Sequence, residues 1–557
     1  MMTRIKVTRL YQTLEHWRLL VFAGWYRRAD RQARANFIRF RDQYGGIGLR
    51  HDLLPLVGKA KTALFVRNIT LPYAPVEAFV MKALQAAGFR TVVVGKRRYE
   101  FLRYVWLGGN QTGLVLSDFA DGGDPQWVDE QISRLRDTRE WLTLKYQGVH
   151  VGRCVIATTL RQLKVGQLDF SELRVQEVLR QNLQASVSNT RAAIDLIREV
   201  KPDCTLFLDR GYMGQAEVCD LAIGQGIDTL AWTAGYKSNR LSFKRYHSGN
   251  ERDHPLSPSV DSWQRLNSMP WKPEYGQAVR RELFECYETQ DWFSVVGTQF
   301  DKQILSQDIT RRKLGMSVDR KVAVIFPHIL WDGSFFYGED LFDDYTEWFV
   351  ETIRAASANP RLQWIIKLHP AHLVKAQQDS DVGTSKGRPR ELEVIENAFG
   401  TLPAHITLVH PDNELSTYSL FEVADYAVTV RGTVGIESAL FGIPVVTAGT
   451  GRYDQRGFTL DSSTREEYLR KLDTLETYPR LSTEQVEAAE RYAYGLFFCR
   501  PVTLTSVSLE YERDGAATPR VTVHCQSRDE WRASPDIRRL ADWLSDGKAE
   551  DMLLFPT

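Results

Sequence analysis

The stretch KTALFVRNI, residues 61–69, is followed without a long break by PVEAFVMKALQAAGF at 75–89 and by RTVVVG at 90–95. The first and third pieces are short apolar runs rich in β-branched residues. The middle one has helical periodicity and a glycine stop at Gly88. Strand, helix and strand joined by short connections form a βαβ unit, which requires a parallel sheet. The pattern returns at SNTRAAIDLIREVKPDCTLFLDRGY, where a helix leads to a strand ending near Asp209, and at AEVCDLAIGQGIDTLAW. A second series opens with KVAVIFPHI, residues 321–329. It runs on through YTEWFVETIRAAS, QWIIKLH, ITLVH, STYSLFEVA, YAVTV, GIESALF and IPVVT. One architecture written twice predicts two doubly wound α/β domains facing each other.

Size agrees with this. A chain of 557 residues is too long for one ordinary core. Apolar content of 43% and charged content of 25% are those of a globular protein. A net charge of +1 gives no support to bulk nucleic-acid binding. The six cysteines are scattered without metal-binding spacing, which fits a reducing cytoplasm. No apolar run reaches the roughly 18 residues of a membrane span, and no signal peptide is recognised. The expected divisions are a basic amphipathic segment at 1–50, a first Rossmann-like domain at 51–310, a second at 311–500, and closing strands and a helix at 501–557 that pack back on the core. Residues 1–41 carry ten Lys and Arg against Glu15 and Asp30. Leu10, Leu14, Trp17, Val21 and Trp25 share one helical face, so this segment either packs on its own domain or lies on an anionic membrane surface. The polar SGNERDHPLSPSV, residues 248–260, reads as a surface loop.

In open α/β sheets ligands bind beyond the carboxyl ends of the strands. His369-Pro370 stands at such an end, because proline cannot extend a central strand. Alternation sends Lys367 to the same side as His369. YAVTV followed by RGTVG and IESALF is a strand, a glycine turn and a helix start. Arg431 can pair with a phosphate, and Gly432 lets backbone approach it. Thr433 can cap the helix or bond a phosphate oxygen, and Glu437 can accept from ribose hydroxyls. His328, Asp332 and Ser334 follow the first strand of the second half. Arg452, Tyr453 and Arg456 follow IPVVT and are expected along the same cleft. In the first half, Asp209, Arg210 and Tyr212 would face the opposite wall, with Glu77 and Asp209 as carboxylate candidates for general base. Each of these residues also has an ordinary structural reading as a turn, cap or core position. Neither G-x-G-x-x-G nor G-x-x-x-x-G-K-[ST] is present, so dinucleotide redox chemistry and P-loop hydrolysis gain no support.

KLHPAH at 367–372 and RGTVGIESALFGIPVVTAGTGRYDQRGFT at 431–459 resemble the second half of bacterial capsule polysaccharide biosynthesis proteins, a family related to Kdo (3-deoxy-manno-octulosonic acid) transferases. WDGSFFYGEDLFDDYTEWFVETI at 331–353 is similar to the segment preceding their His-Pro motif. The likeness spans roughly residues 320–470, and the first half matches in architecture alone. The resemblance implies a GT-B glycosyltransferase with its active site between two Rossmann-like domains, the acceptor domain at 51–310 and the nucleotide-sugar-binding domain at 311–500. It also implies a kinship with sialyltransferases that use CMP-sugars. There the His-Pro pair contacts the donor phosphate, which falls on His369 and Pro370. An acidic-Gly motif supplies a catalytic carboxylate, which falls on Asp332-Gly333, with Trp331 standing where that pattern expects a second acid.

Such an enzyme needs no metal and no cofactor beyond its nucleotide-sugar co-substrate, CMP-linked by this analogy. Its partners would be that donor and a glycan or glycolipid acceptor, at the inner face of the cytoplasmic membrane if residues 1–41 bind there. The alternatives are a nucleotide-sugar 2-epimerase, a CDP-polyol phosphotransferase, or a degenerate transferase serving as an assembly subunit.

Overall fold

The computed structural model describes residues 53, 60–66, 74–95, 112–119, 122–208, 210–289, 302–333, 335–370, 388–510 and 520–555. The basic amphipathic segment, Asp209, Ser334 and most of the polar excursion after His369 lie outside them.

Among the described residues the first sheet has seven strands. They are β1 (Lys61–Val66), β2 (Phe89–Gly95), β3 (Thr112–Val115), β4 (Cys204–Phe207), β5 (Asp228–Ala234), β6 (Arg240–Tyr246) and, from the far end of the chain, β12 (Val502–Thr503). The second sheet is built from β7 (Val322–Ile325), β8 (Gln363–Lys367), β9 (Ile406–Val409), β10 (Tyr426–Thr429) and β11 (Val445–Thr447). A separate hairpin pairs β13 (Val507–Glu510) with β14 (Arg520–Val523). The spatial orders are β12-β6-β5-β4-β1-β2-β3 and β11-β10-β7-β8-β9. Every neighbouring pair is parallel from β3 to β5, and again throughout the second sheet. Counted from its own first strand, each parallel set runs 3-2-1-4-5. This is the doubly wound order, with its topological switch point between the first and fourth strands. The chain is therefore α/β with two Rossmann-like sheets.

The central strands are apolar over most of their length because both of their faces are covered. In β1, Ala63 and Phe65 enter one core while Leu64 and Val66 enter the other. In β7, Val322 and Val324 go one way and Ala323 and Ile325 the other. This is the two-residue pleat expressed as packing.

The chain passes to the second body ahead of the division at 310 expected from sequence. Leu256, Leu266, Val279, Leu283 and Tyr287 all pack in the core formed by one face of the second sheet. The closing residues return to the first body. β12 pairs antiparallel with β6, and helix Pro535–Asp546 buries Ile537, Leu540 and Trp543 in the core shared with helix Ala74–Ala86. A buried charge knot fastens this return. The Asp551 carboxylate accepts from Arg500 at 2.7 Å, from Ser259 N at 2.6 Å and from Lys244 at 3.4 Å, with Lys244 and Arg500 fully buried.

The polar segment 248–260 is no surface loop. Asn250, Ser257 and Ser259 are buried, and His254 N donates to Gly451 O at 2.8 Å. Arg252 Nη1 donates to Phe335 O at 2.7 Å, and Gly338 N to Arg252 O at 2.7 Å. The segment is polar because it wedges between the halves and satisfies their loop backbones. Composition reports hydrogen-bonding capacity, not exposure. Gly338 has φ +58, and a Cβ there would overlap the Thr450 carbonyl. Gly338→Ala is expected to lose about 2 kcal/mol of stability, measured as a lower urea midpoint at unchanged m-value.

Candidate active site

Three parallel strands deliver the site. Beyond β8, Leu368 N still donates to Val409 O at 3.0 Å, and His369-Pro370 then leaves the sheet. Beyond β7, Phe326 N donates to Val428 O at 2.9 Å, and Pro327-His328 follows. Beyond β10, the Thr429 hydroxyl donates to Phe326 O at 3.1 Å and accepts from Gly432 N at 3.3 Å, which closes the turn. The carboxyl ends of β7 and β10 are the switch point of the second sheet, and a cavity of about 360 Å³ opens there. From the second half it is lined by His328, Lys367, His369, Pro370, Gly432, Thr433, Glu437 and Arg452. Ala234 at the end of β5 and Gly235 and Tyr236 after it, with Leu256 and Tyr287, complete the lining. His369, Pro370, Lys367, Gly432, Thr433, Glu437 and Arg452, singled out from sequence, thus share one cleft.

The electrostatics of this cleft are set mainly by burial. Lys367 is 2% exposed, and its ammonium makes one long hydrogen bond, 3.5 Å to Leu368 O, among the described residues. Burial, with help from Lys302 and against Asp412, pushes its pKa down to about 7. Burial and then the Arg431 charge hold His328 down to about 3, so its imidazole is neutral at pH 7. Its Nε2 accepts from Arg431 N at 3.4 Å, which leaves the ring proton on Nδ1. The ring stacks on Tyr345 at 5.1 Å. The Arg452 guanidinium donates to Arg431 O at 3.2 Å, while its buried Nε has no acceptor among the described residues. Burial pushes Glu437 up, and hydrogen bonds from Tyr287 and Thr433 oppose it. The cleft therefore offers Arg452, a lysine with a pKa of about 7, a neutral imidazole and a carboxyl group framed by hydroxyls. That arrangement suits an anionic group joined to a polyhydroxylated one.

Several expectations are corrected. Arg431 does not line the cavity. Its guanidinium turns away to Asp340 at 2.6 Å, Glu339 O at 2.9 Å and Tyr345 OH at 3.4 Å. Both members of this ion pair are nearly excluded from solvent, so the arginine clasps two loops and its two terminal nitrogens are engaged away from the cavity. Thr433 is the N-cap residue of helix Val434–Leu440 but is itself in the αR region and makes no cap bond. Its hydroxyl serves Glu437. Glu77 is 1% exposed in the first turn of helix Ala74–Ala86 and does not line the cleft, because helical periodicity turns it inward. Asp332 lies outside the cavity lining, on the loop where the two halves meet. Tyr453 supports the site from behind, donating to Gly432 O at 2.7 Å.

Sequence reasoning missed Tyr287, Tyr236, Tyr345 and Asp340. The spacing of Val279, Leu283, Cys286 and Tyr287 marks an apolar helix face. Nothing local says that this face crosses to the second body. Among the described residues no cluster of three or more His, Cys, Asp or Glu could hold a metal ion, and no helix is long and apolar enough to cross a membrane.

No family model matches the chain, and no curated protein matches it. Similar solved structures include the KpsC beta Kdo 2,4 transferase of Thermosulfurimonas dismutans. It is 15% identical, covering 60% of this chain and 88% of that one, with a TM-score of 0.32. The UDP-GlcNAc 2-epimerase of Neisseria meningitidis is 13% identical over 79% of this chain and 97% of its own, with a TM-score of 0.27. Spinosyn rhamnosyltransferase SpnG is 12% identical over 78% and 95%, with a TM-score of 0.24. These scores are low, and the functional reading rests on the site itself.

Proposed function

We propose that this chain is a glycosyltransferase that moves a sugar from a nucleotide-activated donor to a glycan or lipid-linked acceptor, with a CMP-linked acidic sugar as the first donor to test. The observation that carries the reading is that Lys367, His369, Arg452 and Glu437 line one cavity at the switch point. In this reading the donor phosphate is the counter-charge of Lys367 and satisfies the Arg452 Nε. Glu437 and Tyr287 receive the nucleoside hydroxyls. Cations held in place and largely out of water stabilise the charge that builds on a departing nucleotide phosphate and need no reorganisation to do so. Asp332, on the loop that meets Tyr212 and Arg161 of the first half, is the carboxylate proposed to take the acceptor's proton. The facing walls orient the acceptor and keep water out, which favours transfer over hydrolysis.

Product analysis with each nucleotide sugar, with and without a glycan acceptor, tests this. Transfer predicts free nucleotide and an extended glycan in equal amounts, strictly dependent on acceptor. A 2-epimer formed without acceptor would contradict transfer and identify an epimerase, and a phosphodiester product from a CDP-polyol would identify a polyol phosphotransferase.

A further inference from the structure

The Asp332 carboxylate is held from the opposite half of the molecule. Tyr212, on the loop after β4, donates its hydroxyl to Asp332 Oδ1 at 3.0 Å and accepts from Gly333 N at 3.1 Å. One phenol oxygen thus pins both residues of the Asp-Gly turn. Arg161, at the end of helix Val151–Leu163, brings Nη1 to the same Asp332 oxygen at 3.3 Å. Its guanidinium also lies over the Tyr212 ring at 4.7 Å. Tyr212 is itself wedged edge-on against Phe336 of the second half, at 4.5 Å. A Cβ on Gly211 would overlap that phenylalanine ring. Next to Asp332, Trp331 lies under Lys164 at 3.9 Å. Asp332 keeps 31% of its side-chain surface, so it is fixed yet reachable.

We propose that Tyr212 and Arg161 are positioning residues that hold the Asp332 carboxylate oriented and ionised, so that it is ready to accept a proton only when the two halves are together. The inference rests on the reading of Asp332 as the reacting carboxylate. Among the described residues, the charged and titratable groups that act on Asp332 are Arg161 from the end of its helix, Tyr212 after β4, His328 after β7 and Tyr345 from helix Tyr345–Ala358, with Lys164 over the neighbouring Trp331. His328 is neutral and Tyr345 stays protonated, so among the described residues the partners that stabilise the anion directly are the Tyr212 hydroxyl and the Arg161 guanidinium. A hydroxyl and a cation directed at a carboxylate favour its charged form. Removing either therefore raises the pH at which Asp332 takes up a proton.

The test is a titration of the protein labelled with ¹³Cγ-aspartate, with the Asp332 signal assigned by its loss in Asp332→Asn. Tyr212→Phe keeps the ring against Phe336 and removes the hydroxyl alone. It is expected to raise the Asp332 midpoint by about 1 pH unit, and Arg161→Gln by about half as much, since that cation is half exposed. The acid limb of kcat moves up by the same amount, while KM for the donor stays unchanged because neither residue lines the donor cavity. A nucleotide-induced thermal shift retained in each variant shows that it is folded. An Asp332 midpoint identical in wild type and Tyr212→Phe would overturn the inference. Full kcat in Asp332→Asn would instead remove Asp332 from the reaction, and the titration would still decide whether Tyr212 holds it.

Discussion

Arg431→Ala is expected to cost 3–5 kcal/mol of stability and to leave nucleotide binding intact. The side chains of the arginine and of its partner Asp340 are 5% and 10% exposed. Burial pushes the Asp340 carboxyl up even beside this cation. The pair is thus a desolvated one in which each charge depends on the other, and truncating one leaves the other buried and unpaired. The arginine also donates to Glu339 O and Tyr345 OH, so the loop 335–342 loses two anchors and the helix that follows it loses one. Urea unfolding should show the drop in midpoint. Arg431→Met with Asp340→Leu should recover much of it, because two apolar groups of similar volume strand no charge. The added stabilisation by nucleotide should remain close to that of wild type. A phosphate-binding role for Arg431 predicts the reverse: a small loss of stability and a lost nucleotide response.

Lys367→Met should weaken nucleotide binding at least 100-fold and flatten its pH dependence. An ammonium 2% exposed, with one 3.5 Å hydrogen bond among the described residues, is poorly compensated until an anion arrives. Its pKa of about 7 in the folded chain lies below the ordinary lysine value of 10.5. Between those values the unfolded chain binds more protons than the folded one. The stability of the free protein therefore rises with pH across that window, by up to about 1.4 kcal/mol per unit. Below about pH 7 both states are protonated and the full penalty of burying the charge is present. A bound phosphate raises the Lys367 pKa, so binding takes up a proton. Affinity should fall up to about tenfold per unit above pH 7. In Lys367→Met both slopes vanish, and the free protein is more stable than wild type at pH 7. Calorimetry at pH 6.5, 7.5 and 8.5 in buffers of differing ionisation enthalpy reads the proton uptake directly.

The strands were legible where burial on both faces made them apolar over most of their length, as in β1, β4, β7 and β10. β6, RLSFKRY, was not, because it carries Lys244 and Arg245 into the interior. Their counter-charges Asp551 and Asp228 come from the end of the chain and from the neighbouring strand. The site divides the same way. His369 and Glu437 sit where a strand end or a helix start puts them, so local pattern was enough to single them out. The role of Arg431 depended on Asp340, 91 residues away, and the setting of Asp332 on Tyr212, 120 residues away. A cation beside a glycine turn looks the same in sequence whether its anion is a ligand or a distant aspartate. Only the fold supplies the partner.

The central claim is that the cleft at the ends of β7, β8 and β10 binds a nucleotide through Lys367 and His369. Thermal shifts of wild type, His369→Ala and Lys367→Met against CMP, CDP, UDP and GDP test it most directly. The account predicts one clear stabiliser of the wild type, worth about 2.7 kcal/mol at a hundred times its Kd, and no response to it in either variant. Equal stabilisation of all three proteins, or none by any nucleotide, would contradict it.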